Sequence, residues 1–66
     1  MTERQRLKAD ARAACQVVAG LLGAALRADT STDTPEIKSA MRDAASAWER
    51  AGNRSEAAKW RWAAEN

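Results

Sequence analysis

The chain has 66 residues, a net charge of +2, no histidine and one cysteine. That length allows a single, marginally stable domain, and a lone Cys15 excludes an internal disulfide and favours a reducing, cytoplasmic compartment. The lack of histidine excludes the usual zinc sites, and so small a net charge does not by itself indicate a nucleic-acid partner.

Residues 3–28 predict a long amphipathic helix, because they lack proline and consist mainly of good helix formers. Its apolar residues recur at spacings of three and four: Leu7, Ala11, Ala14, Cys15, Val18, Leu21, Leu22 and Ala25. From Ala13 to Leu26 the helix is apolar nearly all round, so we expect other helices to cover it.

Two glycines lie inside this helix, and each costs about 1 kcal/mol relative to alanine. Gly20 and Gly23, together with Ala19, therefore indicate either the close approach of a neighbouring helix or a self-association face. The apolar run is shorter than the roughly 20 residues that span a bilayer. Basic residues precede the run, which leaves a membrane-surface helix as a further alternative; they are Arg4, Arg6, Lys8 and Arg12.

A polar linker, residues 29–34, precedes a second helix predicted over residues 35–51. Asp33 or Thr34 is the expected N-cap, with Pro35 in the first turn. The predicted buried stripe of this helix consists of Ile37, Met41, Ala44, Trp48 and Ala51.

Gly52 is the expected stop of the second helix, and Asn53 is the expected cap of a third helix over residues 54–65. Arg61 and Glu65 can pair on its surface. Trp60 and Trp62 lie about 200° apart around the helix axis. One of them can complete a core with Trp48, while the other is left as an interface anchor flanked by Lys59 and Arg61.

The segment Ala44–Ala64 resembles one tetratricopeptide unit, a helical hairpin. The residues that match are Trp48 in the first helix, Gly52 and Asn53 in the turn, and Glu56, Ala57 and Ala64 in the second helix. Arg61 departs from the pattern, since that family usually has an aromatic residue there. The resemblance implies protein or peptide binding, and it requires a neighbouring helix or chain because such units are stable only when stacked.

Residues 44–63 also fit a helix-turn-helix, the alternative that would bind DNA. The nucleic-acid contacts would then be Arg54, Ser55, Lys59 and Arg61. Three residues oppose this interpretation, because Trp48 lies where a small residue is needed and Asn53 and Arg61 lie where apolar ones are needed.

No pattern of catalytic residues is present, since Cys15 has no histidine to activate it. We expect no enzyme activity, cofactor, metal or small-molecule substrate. The sequence predicts an all-α domain in which the long first helix packs on a helical hairpin. Because the large apolar side chains are few, we expect a second copy or a larger host protein to complete the fold. The predicted function is that of an interaction or adaptor protein, and its predicted partner-binding residues are Ala19, Gly20, Gly23, Lys59, Trp60, Arg61 and Trp62. The high alanine and arginine content is typical of a GC-rich genome, such as that of an actinobacterium or its phage.

Overall fold

The computed structural model describes residues 2–66 and confirms an all-α fold. Its three helices are α1, Glu3–Arg27, α2, Pro35–Arg50, and α3, Arg54–Glu65. Helix α1 is about 37 Å long at 1.5 Å per residue, close to the longest dimension of the chain, 40 Å. The radius of gyration is 12.3 Å, whereas a compact chain of this length has one of about 11 Å. The fold is therefore somewhat elongated.

Local hydrogen bonds define where the helices begin. Thr2 caps α1 through a capping box in which its hydroxyl accepts from the backbone N–H of Gln5. Of the two caps predicted for α2, Thr34 is the one observed, since its hydroxyl accepts from the Ile37 N–H at 3.2 Å. Asp33 instead forms an ion pair with Lys38 at 2.9 Å. Asn53 caps α3, accepting from the Glu56 N–H at 3.1 Å, as predicted.

Two residues with positive φ end the first two helices. Gly52 follows α2 with φ +83°, the left-handed conformation that glycine adopts without strain. Asp29 follows α1 with φ +54°, and aspartate is one of the few other residues that tolerate this conformation. The chain then turns back, and the Thr30 N–H donates to the Ala25 carbonyl at 2.8 Å.

Helix α2 is the central element and packs against both other helices. Within residues 2–66, the backbones of α1 and α3 do not approach each other to within 8 Å between Cα atoms. The buried residues of α2 are Ile37, Ala40, Ala44, Ala45 and Ala47. The predicted single stripe was too narrow, because two neighbours bury two adjoining sides of this helix. Met41, Trp48 and Ala51 of that stripe are only half-buried.

Helix α1 is buried along one narrow seam formed by Ala11, Val18 and Ala25, which are spaced seven residues apart. Val18 joins Ala40 and Ala44 of α2 in the core. The partly buried residues around this core are Ala14, Cys15, Leu21, Leu22, Met41 and Trp60. The Trp48 indole N–H donates to the Cys15 sulfur at 3.0 Å, so the lone thiol links α1 to α2. The expectation that neighbouring helices cover α1 nearly all round is wrong for the monomer.

Candidate interaction surfaces

A continuous set of small apolar residues on α1 faces away from the rest of the molecule. We call Ala13, Val17, Gly20 and Ala24 the outer face of α1; all four are exposed, and Val17 is 57% exposed. At 100° per residue, the four positions fall within an arc of about 60°. Their mean direction is turned about 130° from the buried seam at Val18. Helix α2 therefore leaves this face uncovered.

The glycines of α1 do not serve packing inside the monomer. A Cβ atom placed on Gly20 would meet no heavy atom within 4 Å among the residues that the structure describes. A Cβ atom on Gly23 would contact only an arginine nitrogen of its own helix, from Arg27, at 3.5 Å. Close approach of a helix from the same chain is thus wrong as an explanation of these glycines, because α2 packs on another side of α1. Self-association stays a prediction.

Of the predicted α1 contacts, Gly20 alone belongs to the outer face. Ala19 is exposed, but it is turned about 100° from Gly20. Gly23 is half-buried under the Arg27 side chain. Val17 is not among the partner-binding residues predicted from the sequence, because its large exposed fraction follows only from the position of α2.

An open apolar depression adjoins the C-terminal end of the outer face. It has a volume of about 300 Å³ and lies between the end of α1 and the start of α2. Its apolar lining comes from Leu21, Ala24, Ala25, Ala28 and Ile37. Because Ala24 belongs to both features, the depression extends the apolar surface that a partner could cover.

The two tryptophans of α3 have different environments. Trp60 packs against the core formed by Val18, Ala40 and Ala44, whereas Trp62 is 67% exposed. Trp60 is therefore chiefly a structural residue, and its inclusion among the partner-binding residues is not supported by its position. The Trp60 indole nitrogen is buried without a hydrogen-bond partner within residues 2–66. Trp62 remains the exposed aromatic side chain.

The basic residues predicted to flank the exposed tryptophan are held in ion pairs. The Lys59 Nζ atom lies 3.2 Å from the Glu56 Oε1 atom on the same helix. Arg61 pairs with Glu49 of α2, so its predicted pairing with Glu65 is wrong. The reason is that Arg61 lies on the side of α3 that faces α2, where Glu49 is within reach of its guanidinium. Arg61 therefore connects the two helices of the hairpin.

A basic cleft lies where the first turns of α1 meet the α2–α3 corner. Arg4, Lys8 and Arg54 line it, together with Ser55 and residues 51–53, and its volume is about 570 Å³. Within residues 2–66 these three cations form no ion pairs. From the sequence, Arg54 and Ser55 are predicted to contact DNA in the helix-turn-helix alternative, and Arg4 and Lys8 a membrane surface in the membrane alternative. The structure brings both pairs together.

Residues 2–66 show two further properties that bear on metal binding and on membrane insertion. They contain no group of three or more potential metal-ligating side chains of the His, Cys, Asp or Glu type. Helix α1 is long and apolar enough to cross a membrane by length and composition, with a mean hydropathy of 1.3 over its most apolar 18-residue window. Core helices of soluble proteins and signal sequences also have this property, so it does not distinguish a membrane-spanning helix from either of them.

Comparison with known proteins adds no family assignment: the chain matches no protein-family model, no curated protein and no solved structure. The tetratricopeptide resemblance of Ala44–Ala64 is therefore neither supported nor opposed.

Proposed function

We propose that this chain is a small, non-catalytic interaction protein that docks on another protein surface through the outer face of α1. The observation that carries the proposal is the exposure of Val17 beside the open position at Gly20. Apolar area removed from water contributes roughly 25 cal/mol per Å². A marginally stable domain with an uncovered apolar helix face thus gains stability when a partner covers that face.

The shape of the outer face favours a protein helix as the ligand. It is a straight ridge of small side chains, and such a surface lets a second helix approach closely. The α2–α3 hairpin supports α1 from the other side and presents Trp62 as a second, separate apolar contact. Tryptophan is one of the residue types enriched among those that dominate binding energy in interfaces.

The adjoining chemistry gives no reason to propose catalysis. The sequence contains no histidine that could activate Cys15 as a nucleophile, and the Cys15 sulfur accepts a hydrogen bond from the Trp48 indole N–H. An indole is a donor that does not act as a base. We therefore propose a structural role for Cys15 in joining α1 to α2.

Site-specific photo-cross-linking in cells that produce the chain tests this function. A photoreactive residue is placed at Val17 or Trp62, and the matched control is Ser39, an exposed residue of α2. We expect discrete protein adducts from positions 17 and 62 and none from position 39. Lack of adducts at position 17, or equal labelling at position 39, would contradict the proposal.

DNA binding is the second candidate function, and the basic cleft is the observation that favours it. Arg4, Lys8 and Arg54 could contact successive phosphates of a duplex while α3 lies in the groove. Against it, Lys59 and Arg61 are held by Glu56 and Glu49. A duplex-binding protein of this kind loses affinity steeply as salt rises.

A titration with duplex DNA at two salt concentrations distinguishes the DNA-binding function from the protein-interaction function. For a DNA-binding protein, Lys8→Ala and Arg54→Ala should weaken binding, and the control Arg42→Ala, an exposed residue of α2, should not. If binding is absent at physiological salt, or if all three variants behave alike, the DNA candidate is rejected.

A further inference from the structure

We propose that the partner of the outer face is a second copy of this chain, with the two α1 helices packed antiparallel about a two-fold axis between Val18 and Ala19. This inference rests on the proposed function and names its partner. It is argued from the symmetry of the face and from the positions of its flanking charges.

The outer face is complementary to itself in shape. When two copies of α1 run antiparallel about this axis, Ala13 lies level with the partner's Ala24. Val17 lies level with the partner's Gly20, where the space beyond the Cα atom is open. The exposed valine thus meets the one position on the face that has no side chain, and the helix backbones can approach closely.

Charges at the two ends of the face select the antiparallel direction. Asp10 and Arg27 are both exposed, and within residues 2–66 neither forms an ion pair. The same two-fold axis brings Asp10 level with the partner's Arg27. Parallel packing would instead bring Asp10 level with Asp10 and Arg27 level with Arg27, and such like-charge pairs are unfavourable.

A second copy accounts for these features better than an unrelated host protein does. An interface with two-fold symmetry must match each of its residues to another residue of the same surface. Three pairs of residues share one midpoint along α1, which lies between Val18 and Ala19. They are Ala13 with Ala24, Val17 with Gly20, and Asp10 with Arg27. A different protein would place no such condition on the sequence of α1.

The solution mass of the full-length chain tests the inference. The monomer mass is 7.2 kDa, and sedimentation equilibrium over a concentration series should give twice that value. Val17→Glu should return the mass to that of the monomer. The matched control is Leu26→Glu, since Leu26 is 71% exposed on the opposite side of α1, about 180° from Val17. This variant should remain dimeric.

A wild-type chain that is monomeric at every concentration would overturn the inference, as would equal loss of the dimer in both variants. Circular dichroism checks that each variant keeps its helix content. Both substituted side chains are largely exposed, so folding should be retained in both.

Charge reversal tests the direction of packing. Asp10→Arg and Arg27→Asp should each weaken dimerisation several-fold, and the two together should restore it. In a parallel dimer, either reversal would replace one like-charge pair by another and leave the affinity nearly unchanged. Failure of the double variant to recover would therefore overturn antiparallel pairing.

The cross-linking experiment distinguishes failure of the dimer from failure of the proposed interaction function. An adduct at position 17 with twice the monomer mass supports both. An adduct with another protein from a chain that is monomeric in solution overturns the dimer and leaves the interaction function standing. No adduct at position 17 overturns both.

Discussion

Helices α1 and α2 are both rich in alanine, yet the outer face of α1 exposes its alanines whereas α2 buries its own. All four alanines of α2 are buried, and their small size lets α1 and α3 pack closely on two of its sides. Those of the outer face of α1, Ala13 and Ala24, are exposed. The small residues of α2 thus have a role within the monomer. Ala11 and Ala25 of α1 have such a role in the buried seam, but the small residues of the outer face have none, and this contrast is the physical basis for proposing an intermolecular role.

The first way to test this contrast is to place a charge on each helix. Ala44 of α2 is fully buried, and Ala19 of α1 is exposed. An unpaired buried carboxylate costs several kcal/mol, which is comparable to the whole stability of so small a domain. We expect Ala44→Glu to abolish cooperative unfolding in circular dichroism melts and Ala19→Glu to retain it. A folded Ala44→Glu chain would show that the core has been wrongly located.

The second test concerns the two tryptophans of α3. Trp60→Ala removes a half-buried ring that packs on the core, so it should lower the free energy of unfolding by about 2 kcal/mol, less than a fully buried tryptophan would cost. Trp62→Ala removes a mostly exposed ring and should change stability by at most about 0.5 kcal/mol. Urea unfolding measures both. Equal losses would mean that Trp62 also belongs to the monomer core.

The sequence predicted the helix boundaries well because the features that set them are local. Thr34 and Pro35 start α2, and Gly52 and Asn53 form the corner before α3. Each of these residues acts on the backbone within one turn of its own position. The helices consequently begin where predicted, and the ends of α1 and α2 differ from prediction by one residue.

The surfaces were predicted less well because they depend on which helices are neighbours. Periodicity identifies residues that can be buried, but it does not say how many sides of a helix are covered. It therefore could not show that Val17 is exposed or that Ala45 is buried. The basic cleft is lined by residues of α1 and of the α2–α3 corner, and the ion pair of Arg61 with Glu49 connects α3 to α2. Such contacts follow from tertiary packing.

The third test makes one substitution, glycine to alanine, at two positions. Gly20→Ala should raise the stability of the monomer by up to about 1 kcal/mol, because alanine is the better helix former and nothing obstructs the new methyl group. Gly52→Ala should lower it by about 1 kcal/mol, because φ is +83° there and an L-residue is strained in that conformation. Thermal melts of dilute samples measure both, and changes of the same sign would contradict this account of the two glycines.

The smallest expected effect concerns the ion pair that joins α2 to α3. Both Glu49 and Arg61 are about half exposed, and exposed pairs contribute only about 0.5 kcal/mol. A double-mutant cycle with Glu49→Gln and Arg61→Gln isolates that contribution, and the matched control pairs Arg61→Gln with Glu65→Gln. Coupling confined to the first cycle is expected, since Arg61 contacts Glu49 across the hairpin. Coupling in the second cycle instead would show that Arg61 is paired within α3, so that the contact between α2 and α3 depends on their apolar residues alone.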